Sequence, residues 1–207
     1  MFCQLAYLRC CIPGRIRRVL GDLPGTLDET YARALKEIHK ENWECAHLLF
    51  QCVAAASRPL RVEELAEFLA FDFEAGSIPR FLVDWRPEDP THTVLSTCSS
   101  LLAIVDEYKD EDEDGFQVIH QVIQFAHFSV KEYLTSKRLA ETKETISRFH
   151  VSMPPAHTII AQACLGVLLD LDENIIKDSL RDLPLAEYAA EHWVEHALFE
   201  NVSSSGR

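Results

Sequence analysis

The sequence predicts a mainly α fold carrying one small β-hairpin, and three features of its 207 residues predict it. Apolar residues recur at helical spacing along most of the chain. Two runs of strand formers flank an acidic turn closed by Asp114-Gly115. Hydrophobic residues make up 47% and charged residues 26%, the balance of a packed protein and not of a disordered one. This length suffices for two small units with cores of their own.

Taken in order, Phe2 to Leu23 carries Leu5, Leu8, Ile12, Ile16, Val19 and Leu20 at helical spacing, interrupted by Pro13-Gly14, and reads as two helices. Thr26 and Glu29 stand three apart as a capping box, and Leu27, Tyr31, Ala34, Leu35 and Ile38 share one stripe, so a helix runs from Leu27 to His39. Asn42 is placed to cap the next, with Trp43, Ala46, Leu49, Phe50 and Val53 inward, ending near Ser57. Val62 to Leu69 makes a short third helix that turns Leu65, Phe68 and Leu69 inward and Glu63, Glu64 and Glu67 to water. Between Asp72 and Pro90, one glycine and three prolines break the pattern, which leaves a loop with at most one short helix. A helix over Val94 to Leu102 leads into the strand Leu102-Ala103-Ile104-Val105.

Across the acidic tip, Phe116, Val118, Ile119, Val122, Ile123 and Phe125 supply the second strand. Ser129 and Glu132 form another capping box, opening a helix through Val130, Tyr133, Leu134 and Leu139. Three helices, a strand, a hairpin strand and a helix follow the order of a winged-helix domain with one added helix. Glu141 to Ser152 is polar, either a helical extension or a linker. Pro154-Pro155 then opens a helix carrying Ile159, Ile160, Ala163, Cys164, Val167 and Leu168, and Pro184 opens another with Leu185, Tyr188, Ala189 and Trp193. These two read as an αα-hairpin ahead of a frayed tail from Val202. No period of 30 to 40 residues recurs. Residues 1–24 are therefore a helical lead-in, 25–140 a winged-helix unit and 141–207 a helical pair.

Composition excludes several functions. A net charge of −13 repels a phosphate backbone, and the one basic cluster, Arg15, Arg17 and Arg18, reads as a solvated face. The acidic run Asp110 to Asp114 reads as a solvated hairpin tip. Seven cysteines, none in a C-x-x-C pair and most among apolar neighbours, read as reduced core residues. No secretory leader or membrane-length apolar run is present, so a reducing, cytoplasmic location is expected.

Catalytic patterns are sparse. None of the seven glycines builds a phosphate-binding loop. Leu168-Leu169-Asp170-Leu171-Asp172-Glu173 imitates an apolar run with a magnesium-holding acidic end, but a helix with a polar end accounts for it. His192-Trp193-Val194-Glu195-His196 matches the inverted zincin pattern, in which two imidazoles one turn apart grip zinc and the glutamate serves as base. Only eleven residues follow His196 to supply the third ligand, and an exposed, partly packed helix face is the reading preferred here. No G-x-S-x-G elbow or nucleophilic Cys-His pair occurs, and the adjacent carboxylates Asp28-Glu29 and Glu63-Glu64 read as surface charge. No catalytic residue, metal site or cofactor is assigned.

His127 stands apart, where a strand ends and a capped helix begins. Its imidazole can lie beside free N–H groups at that helix start, an anion site, or it can be a hydrogen-bonded residue that holds the corner together.

Four segments together resemble fungal NACHT and ankyrin-repeat proteins: Leu23-Pro24-Gly25-Thr26-Leu27-Asp28-Glu29-Thr30-Tyr31, Ser57-Arg58-Pro59-Leu60-Arg61-Val62-Glu63-Glu64-Leu65-Ala66, Phe125-Ala126-His127-Phe128-Ser129-Val130-Lys131-Glu132-Tyr133-Leu134 and Ala186-Glu187-Tyr188-Ala189-Ala190-Glu191-His192-Trp193. The resemblance implies the region that follows a NACHT nucleotide-binding core, with a winged helix of the GPI inositol-deacylase type and no deacylase chemistry. Such proteins are signal-transducing ATPases of the STAND class, linked to innate-immunity-like responses, whose winged helix folds back on bound ADP. In related NOD-like receptors a histidine before a Ser-x-x-Glu-aromatic helix contacts the ADP phosphate, and His127 matches it, with Ser129 and Glu132 as caps. The expected role is a non-catalytic regulatory fragment, without core or ankyrin repeats, whose partners are a NACHT core or other protein modules and neither nucleic acid nor membrane. The alternatives are a DNA-binding winged helix and, after it, a zinc hydrolase.

Overall fold

The computed structural model describes residues 26–76, 79–111, 117–170 and 183–199. The lead-in, the tip residues 112–116, the acidic end of Leu168–Glu173 and the tail fall outside these residues. So do Arg15, Arg17, Arg18, Cys3, Cys10 and Cys11.

The first helix, α1 (Leu27–Lys36), starts where Thr26 Oγ1 accepts the Glu29 N–H at 3.2 Å, and Tyr31, Ala34 and Leu35 are its buried face. Leu27 departs from the predicted stripe, being 52% exposed in the first turn. A 3₁₀ turn leads to α2 (Trp43–Ala55), whose Ala46, Leu49, Phe50 and Cys52 are fully buried. Asn42 occupies the cap position without a side-chain bond.

Strand β1 (Leu60–Arg61) and helix α3 (Val62–Glu67) follow, and a 3₁₀ turn extends α3 to Ala70. Glu64 and Glu67 were expected in water, yet they are 0% and 3% exposed. Arginines outside α3 meet them, which helical periodicity cannot anticipate. The predicted loop after Asp72 also holds a two-residue ladder, β2 (Phe71–Asp72) on β3 (Arg80–Phe81), and a 3₁₀ turn at Val83–Trp85.

Helix α4 (Pro90–Cys98) starts four residues earlier than its apolar pattern suggests, because Asp89 Oδ1 accepts the His92 N–H at 2.8 Å. The hairpin comprises β4 (Leu102–Glu111) and β5 (Gln117–Phe125), registered from Leu102 opposite Phe125 to Lys109 opposite Val118. β1 pairs antiparallel with β5 on its other side, giving the order β1-β5-β4. Helix, strand, two helices and a hairpin thus follow in order, the strand and the hairpin forming one three-stranded sheet, so the fold is mainly α with a small β-hairpin, as the sequence predicts.

The helix expected through Leu139 is two helices, α5 (Phe128–Leu134) and α6 (Lys137–Glu141). Thr135 and Ser136 divide them: Thr135 Oγ1 donates to the Lys131 carbonyl at 2.9 Å, while Ser136 Oγ accepts the Leu139 N–H at 3.3 Å and so starts α6. Nor is the polar stretch from Glu141 to Ser152 a helical extension. It holds a 3₁₀ helix, and Ile146, Phe149 and Val151 are each under 5% exposed. Phe149 packs its ring edge-on to Phe50, centroids 6.1 Å apart.

Helices α7 (Met153–Asp170) and α8 (Leu185–Ala197) form the expected pair. One continuous set of buried side chains runs from Tyr31 on α1 to Ala189 on α8, crossing residue 141 without a break. Gly166 of α7 lies so close to the β2-β3 ladder that a Cβ there would stand 3.1 Å from Phe71 and 3.4 Å from the Pro79 carbonyl. Cys52 and Cys164 are buried, and burial pushes the Cys164 thiol up to about 12. Cys45, expected in the core, is exposed.

Candidate functional site

The corner between β5 and α5 is held by three hydroxyl and imidazole groups. Ala126 closes the strand by donating its N–H to the Leu101 carbonyl at 2.9 Å. His127 then adopts extended backbone angles and is itself the helix cap, its Nδ1 accepting the Ser129 N–H at 3.3 Å. Ser129 Oγ lies 2.6 Å from the same nitrogen and 2.7 Å from the Tyr31 hydroxyl of α1.

This corrects the predicted caps. Ser129 is the second helical residue and not the cap, so Glu132, exposed on the following turn, has no capping partner there. The imidazole has taken over the acceptor role that a serine or aspartate usually fills.

The hydrogen bonds also fix the histidine tautomer. A nitrogen that accepts an N–H carries no proton, so the neutral ring holds its proton on Nε2. Ser129 Oγ–H then donates to Nδ1, and the Tyr31 hydroxyl donates to Ser129 Oγ. Both readings left open by the sequence meet here: Nδ1 ties the corner together while the ring remains exposed. Beside it, the Phe128 ring lies 4.3 Å away between centroids and is 72% exposed. An outward N–H donor and a bare aromatic face thus stand side by side at the hairpin's end. Such a pair can offer one hydrogen bond and one apolar contact to a partner.

His192 and His196 do not converge. His192 is flanked by the Glu191 and Glu195 carboxylates at 3.6 and 3.4 Å. His196, expected on an exposed face, is fully buried, with Nε2 2.8 Å from the Tyr188 hydroxyl and Nδ1 2.8 Å from His157 Nδ1. Both of its nitrogens are engaged within the fold, and no cluster of three or more candidate ligands occurs among the described residues. Burial, first, and the neighbouring His157 lower its pKa to about 4. Ser57 Oγ is 3.5 Å from His196 Nε2, but Tyr188 is the nearer partner and the Ser57 N–H is already donated to that hydroxyl at 3.0 Å. The trio is a brace between α8 and the α2-β1 turn, with no free N–H at the serine to receive an oxyanion.

Sequence reasoning missed the carboxylates of α3. Glu64 accepts both Arg58 amino groups at 2.8 Å and the Arg61 N–H at 2.7 Å, and Arg61 continues to Glu187 of α8 at 2.9 Å. Burial pushes its carboxyl up, but the Arg58 hydrogen bonds, the Arg61 N–H and both arginine charges outweigh it and hold it below the ordinary range. Glu67 accepts the Leu185 N–H at 3.0 Å and pairs with Arg86, yet burial dominates and raises its carboxyl. These groups fasten α3 to the start of α8. The only signal in the sequence was the density of arginines around α3, at Arg58, Arg61 and Arg86.

Two curated proteins are similar to this chain. It is 35% identical over 182 residues to azaphilone pigments biosynthesis cluster protein L of Monascus ruber, an alignment covering 86% of this chain and 36% of that protein. It is 24% identical over 213 residues to vegetative incompatibility protein HET-E-1 of Podospora anserina, covering 91% of this chain and 14% of that protein. Both relatives are fungal, in agreement with the fungal character of the sequence motifs, and the chain spans little more than a third of one and a seventh of the other. No protein-family model and no solved structure matches.

Proposed function

We propose that this chain is a non-catalytic regulatory region of a larger fungal NACHT-type signalling protein of the STAND class. In this reading residues 25–140 are a winged helix that docks on a nucleotide-binding core and favours its ADP-bound, inactive form. The distant similarity to HET-E-1, which is about seven times as long as the matched segment, supports a modular context. The order of helix, strand, two helices and hairpin supports the winged helix. Its partners are then protein modules, the NACHT core first among them. No helix among the described residues is long and apolar enough to cross a membrane.

One observation carries the functional reading: His127 is exposed at the end of the hairpin, with Nδ1 engaged by Ser129, which leaves Nε2 as the nitrogen to donate to a partner. A β-phosphate oxygen of ADP held by the core is the acceptor this donor suits. Alone, one imidazole cannot replace a phosphate loop, so the isolated chain should bind ADP no better than millimolar. A DNA-binding winged helix is disfavoured by the −13 charge and by the acidic residues that end β4.

The test is titration of the chain into a separately produced NACHT core from the same genome, loaded with ADP or with a non-hydrolysable ATP analogue. Binding should favour the ADP form, and His127→Ala should weaken it about tenfold, the size of one lost charge-assisted hydrogen bond. Equal affinity for both forms, unaffected by the substitution, contradicts the proposal.

A further inference from the structure

The two antiparallel helices α7 and α8 are joined near the chain's end by an imidazole pair that the proposed function does not use. His157 lies in the second turn of α7, His196 in the last turn of α8, and their Nδ1 atoms are 2.8 Å apart. That separation requires a single N–H···N bond: one nitrogen carries the proton and the other accepts it. The far side of His196 is tied through the Tyr188 hydroxyl to the Ser57 N–H, at 2.8 and 3.0 Å. The Phe199 ring lies over His157, 3.8 Å between centroids and 10° from parallel. α7, α8 and the α2-β1 turn therefore meet on one chain of hydrogen bonds.

We propose that His157 and His196 form a proton-operated latch: a second proton on the facing nitrogens breaks the bond between them, and the last turn of α8, with Phe199, separates from α7.

The surroundings set the direction. On α8 itself, Glu195 favours the charged ring, whereas His192 opposes it; Tyr188, raised to about 12, stays neutral. From α7 come His157 and the buried Cys164, from α2 the buried Cys52, from the turn the Arg58 guanidinium over the Tyr188 ring, and from α5 the Lys131 ammonium, whose charge opposes protonation of His157. The C-terminal end of α8 favours a cation at His196, but complete burial of the ring opposes it more strongly. Burial and then Lys131 likewise lower the His157 pKa.

Both imidazoles therefore take up protons more readily when released than when latched. The sign follows: latching is fully favourable above about 6.5, the ordinary histidine pKa, and weakens as pH falls from there towards the His196 value of about 4. With its pKa at about 4 in the latched state, His196 multiplies the opening equilibrium by about 30 at pH 5, and His157 acts in the same direction.

The experiment is hydrogen exchange of the full chain by mass spectrometry at pH 7.5 and 5.0, corrected for intrinsic rates. Peptides from α8 should open at least about 30-fold more readily at the lower pH, while β5 peptides change far less. His157→Gln, at a half-buried site, keeps a hydrogen-bonding group and should make the α8 response several-fold smaller. Equal changes in α8 and β5, or an α8 response unaffected by the substitution, overturns the latch. Imidazole nitrogen shifts of the unsubstituted chain provide a test independent of variant folding: a neutral His196 in the closed form at pH 5 is expected, and an imidazolium there contradicts the proposal.

Discussion

Glu64 is a charge taken out of water and kept ionised by its neighbours. Removing the charge with Glu64→Gln leaves Arg58 and Arg61 facing an amide, and breaking a buried pair costs about 3–5 kcal/mol. Both arginines reach solvent, at 21% and 26% side-chain exposure, so about 2–3 kcal/mol of lost stability in urea unfolding is the expected outcome. The pH dependence has a definite sign. A carboxyl lowered by folding contributes stability above its ordinary pKa, and that contribution is lost as pH falls through the folded value, so the variant's acid limb should be flatter below about pH 4. Glu67, raised by burial, works in the opposite sense and is relieved as it takes up a proton. Unchanged stability in the variant would show that Glu64 contributes nothing net. At this scale the sequence was least legible. Period reasoning put both glutamates on the wet face of a short helix, since it registers neither the arginines before and after nor the arrival of α8 more than a hundred residues later. It singled out His127 by its place between strand and helix, but assigned the cap to Ser129, because an imidazole is an uncommon cap acceptor.

Among the elements, helices with strong apolar stripes were readable and their ends were not. α1, α2, α7 and α8 lie close to their predicted ranges because several inward residues vote for each. Boundaries depend on single acceptors: Asp89 lengthens α4, and Thr135 with Ser136 divides what the stripe Val130, Leu134 and Leu139 joins. The β2-β3 ladder was missed because two paired residues leave no alternating pattern, and its place is set by packing on α7. Gly166 is that contact. Gly166→Val should force Phe71 from its place and lower stability by about 1–3 kcal/mol, the usual cost of overfilling a packed site. A thermal melt shows it, and a variant as stable as the parent would mean that Phe71 yields freely.

Across the whole molecule, one core crosses the boundary that the sequence suggests near residue 141. Ile146, Phe149 and Val151 fill it from a stretch that reads as polar, and Glu64, Glu67 and Arg61 fasten α8 to α3. In the proposed role this continuous core matters, because it connects the C-terminal helices to the hairpin and to His127 without an intervening linker. In that role the chain restrains a nucleotide-binding core in its ADP state. The release rate of a fluorescent ADP from such a core, with and without this chain, measures that restraint directly. Release slowed several-fold by the parent chain and restored by His127→Ala is the expected outcome; release at the same rate whether or not the chain is present rules the restraint out.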